Sequence, residues 1–331
     1  MTSLVTGGAG FIGSHVVNSL ITHGHQLVVL DDLSGGDKEN VNDEAKLIIG
    51  SITDSALVNQ LFDQYNFTYV YHLAAYAAEG LSPFIRKFNY ENNLMGSINL
   101  INAAINHEVK CFVFTSSIAV YGHGKLPMKE SDQPKPVDPY GIAKYAVELD
   151  LKNAHDQFHL NYIVFRPHNV YGPYQNTGDK YRNVVGIFMN QILKDQPLTI
   201  FGDGEQRRAF SSIEDIAPYI ADSVFNPSAY NSTFNIGGDQ VYTINQLAEA
   251  VIKSMNSNIE IQYLDSRKEV TDVYSDHTLF NSIFEPSKKT SLELGISKMA
   301  EWVKKYGARS SNAFENIEIK KNIPSVWNEK L

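Results

Sequence analysis

A doubly wound α/β fold, with a parallel sheet and a smaller C-terminal α/β region, is predicted by three features of this sequence. Short apolar runs alternate with helix-period segments through the first half, the pattern of parallel strands covered on both faces. A glycine-rich turn, Thr6-Gly7-Gly8-Ala9-Gly10-Phe11-Ile12-Gly13, joins the first run to the first helical segment. After about Pro167 the runs thin out, and Gly, Pro, Asn and Asp punctuate the chain.

The elements follow in order. Ser3-Leu4-Val5 is a short buried strand, and Phe11 to Ile21 has helical periodicity ending before Gly24. Gln26 to Leu30 is a second strand, followed by Asp31-Asp32 and the turn-rich Ser34-Gly35-Gly36. Lys46 to Ile49 is a third strand, and Ser55 to Tyr65 a helix. Thr68 to Tyr71 is a fourth strand, and Asn92 to Asn106 a helix. Lys110 to Thr115 is a fifth strand. Pro139 to His159 is a long helix, opened by Asp138 as N-cap and Pro139 at the first helical position. Tyr162 to Phe165 is a sixth strand. Beyond it, Val184 to Leu193, Glu214 to Phe225, Thr243 to Met255 and Ile296 to Tyr306 read as helices. At about 150 residues per domain, 331 residues make roughly two domains. The expected division is 1–168 and 169–331, with a segment near 200–235 crossing back, because no Gly/Ser linker separates the halves.

Composition excludes several classes. With 28 basic and 37 acidic side chains the formal net charge is −9. That argues against a nucleic-acid binder or an anionic-membrane binder, both of which depend on Lys and Arg at phosphates. The single cysteine, Cys111, rules out an internal disulfide framework and a multi-Cys zinc site. No apolar run approaches the roughly 18 residues of a membrane span. The N-terminus lacks the basic region and apolar core of a signal peptide. The expectation is a cytoplasmic protein. His155 and His159 stand at i, i+4, a possible zinc spacing, but no third ligand is suggested and no metal is expected.

Glycines 7, 10 and 13 suit a dinucleotide. The first permits the tight turn, the second lets backbone approach a pyrophosphate, and the third lets helix pack on strand. The helix N-terminus then presents free N–H groups to the phosphates. Asp31 ends the second strand, 18 residues past Gly13. A carboxylate there accepts from ribose hydroxyls and repels a 2′-phosphate, which favours NAD over NADP.

Tyr140 and Lys144 stand at i and i+4, on one helical face. A nearby ammonium, with a nicotinamide cation, favours the phenolate and lets Tyr140 accept a hydroxyl proton. A second Tyr-x-x-x-Lys match, Tyr121 to Lys125, contains two glycines and precedes Pro127, so it reads as a loop. Thr115-Ser116-Ser117 closes the fifth strand, at the end where such sheets hold ligands. Chemistry alone does not choose between Ser116 and Ser117 as the partner of a reacting hydroxyl.

Together these residues resemble the extended short-chain dehydrogenase/reductases with a Rossmann sheet, and within them the UDP-glucose 4-epimerase-like nucleotide-sugar epimerases. The likeness rests on the turn 6–13 with Ser14-His15, Asp31-Asp32-Leu33-Ser34, His72-Leu73-Ala74-Ala75 and Asn92 to Ser97. It continues through Thr115 to Gly122, Pro139 to Lys144, Arg166-Pro167-His168-Asn169-Val170-Tyr171-Gly172-Pro173 and Ile200 to Gly204. It is dense over about residues 1–225. The resemblance implies an NAD-dependent epimerase (an isomerase) that inverts C4 of a UDP-hexose through a transient 4-keto intermediate. Tyr140 would be the base, Lys144 its electrostatic partner and ribose contact, and Ser117 the holder of O4. NAD would be held by Gly7, Gly10, Phe11, Ile12, Gly13, Asp31, Asp32, Ser51, Ile52, Leu73, Ala74 and Ala75, besides Tyr140 and Lys144. The UDP-sugar would meet Ser117, Tyr140, Asn169, Asn183, Phe201, Arg208 and Arg267. The C-terminal region would be its binding domain. A homodimer through a four-helix bundle is also implied, from helices near 92–106 and 140–158.

Related dehydratases and decarboxylases carry an acid just before the Val-Tyr-Gly stretch; Ala119 stands here instead. Ser51 replaces the family's usual adenine-binding Asp. The gating stretch aligns on Val273 or Tyr274, and Val273 would leave room for an N-acetyl group. UDP-N-acetylglucosamine and UDP-glucuronate are the alternative substrates, and an NAD-linked nucleotide-ketosugar reductase the alternative activity. A nucleotide-sensing regulator on this fold would typically lack the Tyr/Lys pair.

Overall fold

A computed structural model describes residues 1–179, 181–266, 270–287, 289–310, 314 and 316–324. The first half lays down strands β1 (Thr2–Thr6), β2 (Gln26–Asp31), β3 (Lys46–Ile49), β4 (Tyr69–His72), β5 (Cys111–Thr115) and β6 (Tyr162–Pro167). Between them run helices α1 (Phe11–Thr22), α2 (Ser55–Tyr65), α3 (Arg86–Tyr90), α4 (Gly96–Asn106) and α5 (Pro139–Phe158). The C-terminal half adds β7 (Val170–Tyr171), α6 (Val184–Leu193), β8 (Leu198–Phe201), β9 (Arg207–Ala209) and β10 (Ser211–Ser212). These are followed by α7 (Ala217–Asp222), β11 (Ser232–Ile236), β12 (Val241–Thr243), α8 (Ile244–Met255), β13 (Ile261–Leu264), α9 (Thr278–Phe284) and α10 (Leu292–Tyr306).

Seven strands form one sheet in the order β11-β6-β5-β4-β1-β2-β3, parallel at every pairing. The strands are apolar on both sides because both faces are covered. Val5, Val29, Tyr71 and Phe165 pack against α1, α7 and α9, while Leu4, Val28, Val70 and Phe112 pack against α2, α4 and α5. Strand order reverses between β1 and β4, which opens a crevice at their carboxyl ends, the usual ligand position in such sheets. A separate core joins α6, α8 and α10 around Phe188, Leu247 and Met299.

Chain segments cross between the two bodies. β10 pairs with β7, and β11 extends the main sheet beside β6. The segment 316–324 returns to the first half: Glu318 accepts hydrogen bonds from Lys87 N and Phe88 N, both at 2.8 Å.

Three helices depart from the expected spans. The helix expected from Asn92 starts inside a π-helical stretch, Glu91–Met95, that continues from α3 and leads into α4. The expected helix 214–225 is broken into 3-10 turns around the short α7, because Pro218 has no N–H to donate. α10 begins four residues earlier than Ile296, at Leu292, where Ser291 accepts from Leu294 N. α9 and the small C-terminal strands carry little periodicity and were not expected.

Candidate active site

The crevice widens into a cleft of about 1580 Å³. Ordinary small-molecule sites occupy about 300–1,000 Å³, so there is room for two ligands. Gly7, Gly10 and Gly13 form its floor. A Cβ at Gly13 would sit 2.0 Å from the Gly7 carbonyl oxygen, and one at Gly7 2.6 Å from Ala74 N. No side chain caps α1 at Gly10, so the N–H groups of its first turn face the cleft beside Phe11 and Ile12. Asp31 Oδ2 accepts from Ala9 N at 2.9 Å and Oδ1 from Leu33 N at 2.8 Å. Burial raises its pKa while those bonds oppose the rise. The carboxylate is thus fixed at the rim, with lone pairs left for hydroxyls. Asp32, Ser51 and Ile52 line the same wall, and Leu73, Ala74 and Ala75 the opposite one. An uncapped helix end, a floor with no room for a Cβ at Gly7 or Gly13 and an anchored acid fit a dinucleotide such as NAD.

Ser117, Tyr140 and Lys144 lie together in the middle of the cleft. Asp138 caps α5 by accepting from Gly141 N at 2.9 Å, which fixes the first turn and Tyr140 with it. Ser117 follows β5, accepts from Ala119 N at 3.1 Å, and lines the cleft beside Tyr140, near enough for its hydroxyl to lower the tyrosine pKa. Ser116 turns away: its hydroxyl donates to the Glu148 carboxylate. That contact separates two serines that chemistry alone left equivalent. Lys144 Nζ donates to the Thr115 carbonyl at 2.8 Å and lies 5.8 Å from the Tyr140 ring centre.

The electrostatics of the protein alone run against an early proton transfer. Burial pushes the Tyr140 hydroxyl well above the ordinary tyrosine value, and the Ser117 hydroxyl only partly offsets this. Burial also pulls Lys144 down to about 7, opposed by Glu148. The ammonium expected to favour the Tyr140 phenolate is thus itself held close to losing its proton.

The remaining predicted residues flank the far end. Asn169 Nδ2 donates to the Ala209 carbonyl at 3.0 Å. Asn183 caps α6 by accepting from Val185 N at 3.0 Å. Phe201 and Arg208 line the cleft, and Arg208 Nη2 donates to the Val270 carbonyl at 2.6 Å. Arg267 lies outside the described residues. Val273, and not Tyr274, faces the cleft; the Tyr274 carbonyl accepts from Met128 N at 3.1 Å.

Two features had been missed. Arg182 lines the cleft, 2.9 Å from Asp179 and over the Tyr76 ring at 5.0 Å. A Cβ at Gly35 would come 2.9 Å from its guanidinium, so the residue meets the loop after Asp31; no local motif announces it. Glu148 pairs with Arg166 behind Ser116, at 2.5 Å between buried groups. The signal for Glu148 was the row 140, 144, 148 on one helical face.

Such a site, a dinucleotide floor beside a Ser/Tyr/Lys set, defines a class. The chain belongs to the NAD dependent epimerase/dehydratase family, whose model matches residues 3–237. It is 32% identical over 305 residues to a putative UDP-glucose 4-epimerase of Methanocaldococcus jannaschii, covering 91% of this chain and 98% of that one. The crystal structure of a Thermotoga maritima UDP-glucose 4-epimerase with UDP-glucose superposes with a TM-score of 0.89 at 35% identity, over 92% of this chain and 99% of the other. A Bacillus cereus UDP-glucuronic acid 4-epimerase, solved with UDP-glucuronic acid and NAD, superposes with a TM-score of 0.85 at 26% identity, over 92% and 100% of the two chains. Among the described residues, no helix is long and apolar enough to cross a membrane.

Proposed function

We propose that this protein is an NAD-dependent 4-epimerase of a UDP-hexose, of the UDP-glucose/UDP-galactose type. The observation that supports the reading is the placing of Ser117, Tyr140 and Lys144 in one cleft, Lys144 one turn along α5 from Tyr140, with the dinucleotide floor and Asn169 and Arg208 lining the same cleft. Bound NAD supplies reversible hydride acceptance, so C4 passes through a ketone and no outside redox partner is consumed. Tyr140 takes the O4 proton and returns it, and Ser117 holds that oxygen within reach. Lys144 sets the local potential and reaches the cofactor ribose. Asn169 and Arg208 hold the diphosphate, where a guanidinium suits phosphate, while the sugar turns between hydride transfers. Ala119 presents only a methyl group at the position where related dehydratases use an acid, which supports epimerisation over elimination.

A second substrate is favoured by a specific observation. Val273 faces the sugar end of the cleft, and its small side chain leaves space beside C2 for an N-acetyl group. UDP-N-acetylglucosamine is therefore the second candidate. The test is incubation of purified protein with UDP-glucose, UDP-N-acetylglucosamine and UDP-glucuronate separately, without added cofactor, and NMR of the products. The expected product is UDP-galactose at a fixed equilibrium ratio. Net NADH consumption would point to a reductase instead, and no product from any sugar would overturn the reading.

A homodimer through α4 and α5 belongs to the same proposal. Ile142 and Leu149, on one face of α5, and Met95 beside α4 are apolar side chains left 41%, 52% and 53% exposed. A cytoplasmic location suits a chain whose single thiol, Cys111, is fully buried.

A further inference from the structure

A second cluster of buried ionisable groups lies behind Asn169, outside the reacting centre. His168 and His277 are 2% and 3% exposed. Their Nε2 atoms are 3.1 Å apart. Ring centres 5.3 Å apart and planes inclined by only 23° mean that the rings meet end to end through nitrogen, not face to face. At the outer ends, His168 Nδ1 lies 3.1 Å from the Ala209 carbonyl oxygen, and His277 Nδ1 lies 2.6 Å from Asp239 Oδ1. The other Asp239 oxygen lies 2.8 Å from Lys289 Nζ. A Cβ at Gly237 would fall 2.3 Å from His168 Nε2, so the ring is closely confined.

With the Nε2–Nε2 contact taken as a hydrogen bond, counting protons gives the charge. A carbonyl oxygen only accepts, so His168 Nδ1 carries a hydrogen. An ionised carboxylate only accepts, so His277 Nδ1 carries one too. The central contact holds only if one Nε2 carries a third. Two rings sharing three N–H hydrogens hold one positive charge. The third proton is assigned to His277, the ring in contact with the Asp239 carboxylate; His168, fully enclosed and beside no carboxylate, is pulled down by burial. The His277 hydrogen bond, with Lys289, holds Asp239 well below the usual carboxylate range. Glu130 and Asp276 also face His277 electrostatically.

The pair fastens three segments that carry cleft residues. His168 precedes Asn169, and the Ala209 carbonyl accepts from both. Arg208 lies next to Ala209 and forms a β-bridge with Val273, four residues before His277. We propose that protonated His277 is a positioning residue, clamped between Asp239 and His168, that sets the spacing of Asn169, Arg208 and Val273 around the diphosphate end of the cleft. This rests on the nucleotide-sugar reading above. When the shared proton leaves, two lone pairs face each other across the contact. Ser275 Oγ, 3.1 Å from His277 Nε2, then donates to His277 in place of its partner. The 270–277 segment loses its tie to His168, and nucleotide affinity falls while the dinucleotide floor is untouched.

Two measurements test the clamp. Ring ¹⁵N NMR of histidine-labelled protein at neutral pH should show three protonated nitrogens and one bare nitrogen in this pair. Two neutral rings would overturn the proton count whatever the enzyme's substrate. Calorimetric UDP binding should weaken about tenfold as pH rises through loss of that proton, with retained NAD unchanged. His277→Gln should bind UDP about tenfold more weakly at neutral pH, with that pH dependence gone. Asp239→Asn, on the exposed side of the cluster, should fold normally and move the midpoint down by about one pH unit, because the cation loses its counter-ion. A midpoint unmoved in Asp239→Asn, or UDP affinity independent of pH in the unmodified protein, would overturn the role. No UDP binding at any pH would overturn the nucleotide-sugar reading and the role with it, and the NMR proton count would still stand as measured.

Discussion

Single side chains decide the chemistry here, and Tyr140 is the plainest case. It is buried, set beside Ser117 in the cleft and held by the cap on α5. Tyr140→Phe removes one oxygen and no packing, so the variant should fold and keep NAD while turnover falls by about 10²-fold or more, the scale of lost acid–base catalysis. Undiminished turnover, measured by coupled product assay, would remove Tyr140 from the mechanism. Lys144 makes a different prediction. Burial holds its pKa near 7, whereas in the unfolded chain it titrates near 10.4. Between those values the unfolded chain binds the extra proton, so on this account stability rises with pH across that window. In cofactor-free protein, urea titrations should show this rise, and Lys144→Met should flatten it while abolishing activity. An identical pH slope in the two proteins would mean that Lys144 stays charged in the fold.

At the scale of elements, turns and caps carry the site. Asp138 accepts from Gly141 N and lies within reach of the Ser82 hydroxyl. Asp138→Ala should cost about 1 kcal/mol and slow turnover by displacing Tyr140. Asp138→Asn, which still caps, should restore most of both by urea melt and rate; equal loss in both variants would mean that the charge and not the cap matters. What was legible in sequence follows the same division. β1, β2, the glycine turn and the start of α5 announce themselves, because period, turn residues and cap lie within a few positions of each other. The C-terminal half is less legible, since β7, β9 and β12 are two or three residues long and exist only through partners far along the chain. Arg182, the His168–His277 contact and the return of 316–324 to α3 join residues too distant in sequence for any local pattern to pair them. Ser117 over Ser116 needed the position of Glu148, a helix away. Val273 over Tyr274 needed the register of a two-residue bridge.

For the whole molecule, one cleft is walled by both bodies, and each body offers its own ligand surface. Any ligand specific to the folded state stabilises it by about 2.7 kcal/mol at 100 times its Kd. On the proposed reading NAD reaches mainly the glycine floor, Asp31 and Ala74, which follow strands of the seven-stranded sheet. On the same reading UDP would reach Asn169, Phe201 and Arg208, which line the cleft from loops and strands of the second body. The two should therefore raise the thermal midpoint independently, by amounts that add when both are present, because they contact different walls. Arg208→Ala should erase most of the UDP-induced rise and leave the NAD-induced rise intact, as read by scanning calorimetry. Arg208→Lys should recover only part, because an ammonium replaces a forked donor by a point charge. If Arg208→Ala keeps the full UDP shift, the diphosphate lies elsewhere in the cleft. If it loses the NAD shift as well, the two walls unfold as one unit, and the side chain, bonded to the Val270 carbonyl, serves the fold before it serves the ligand.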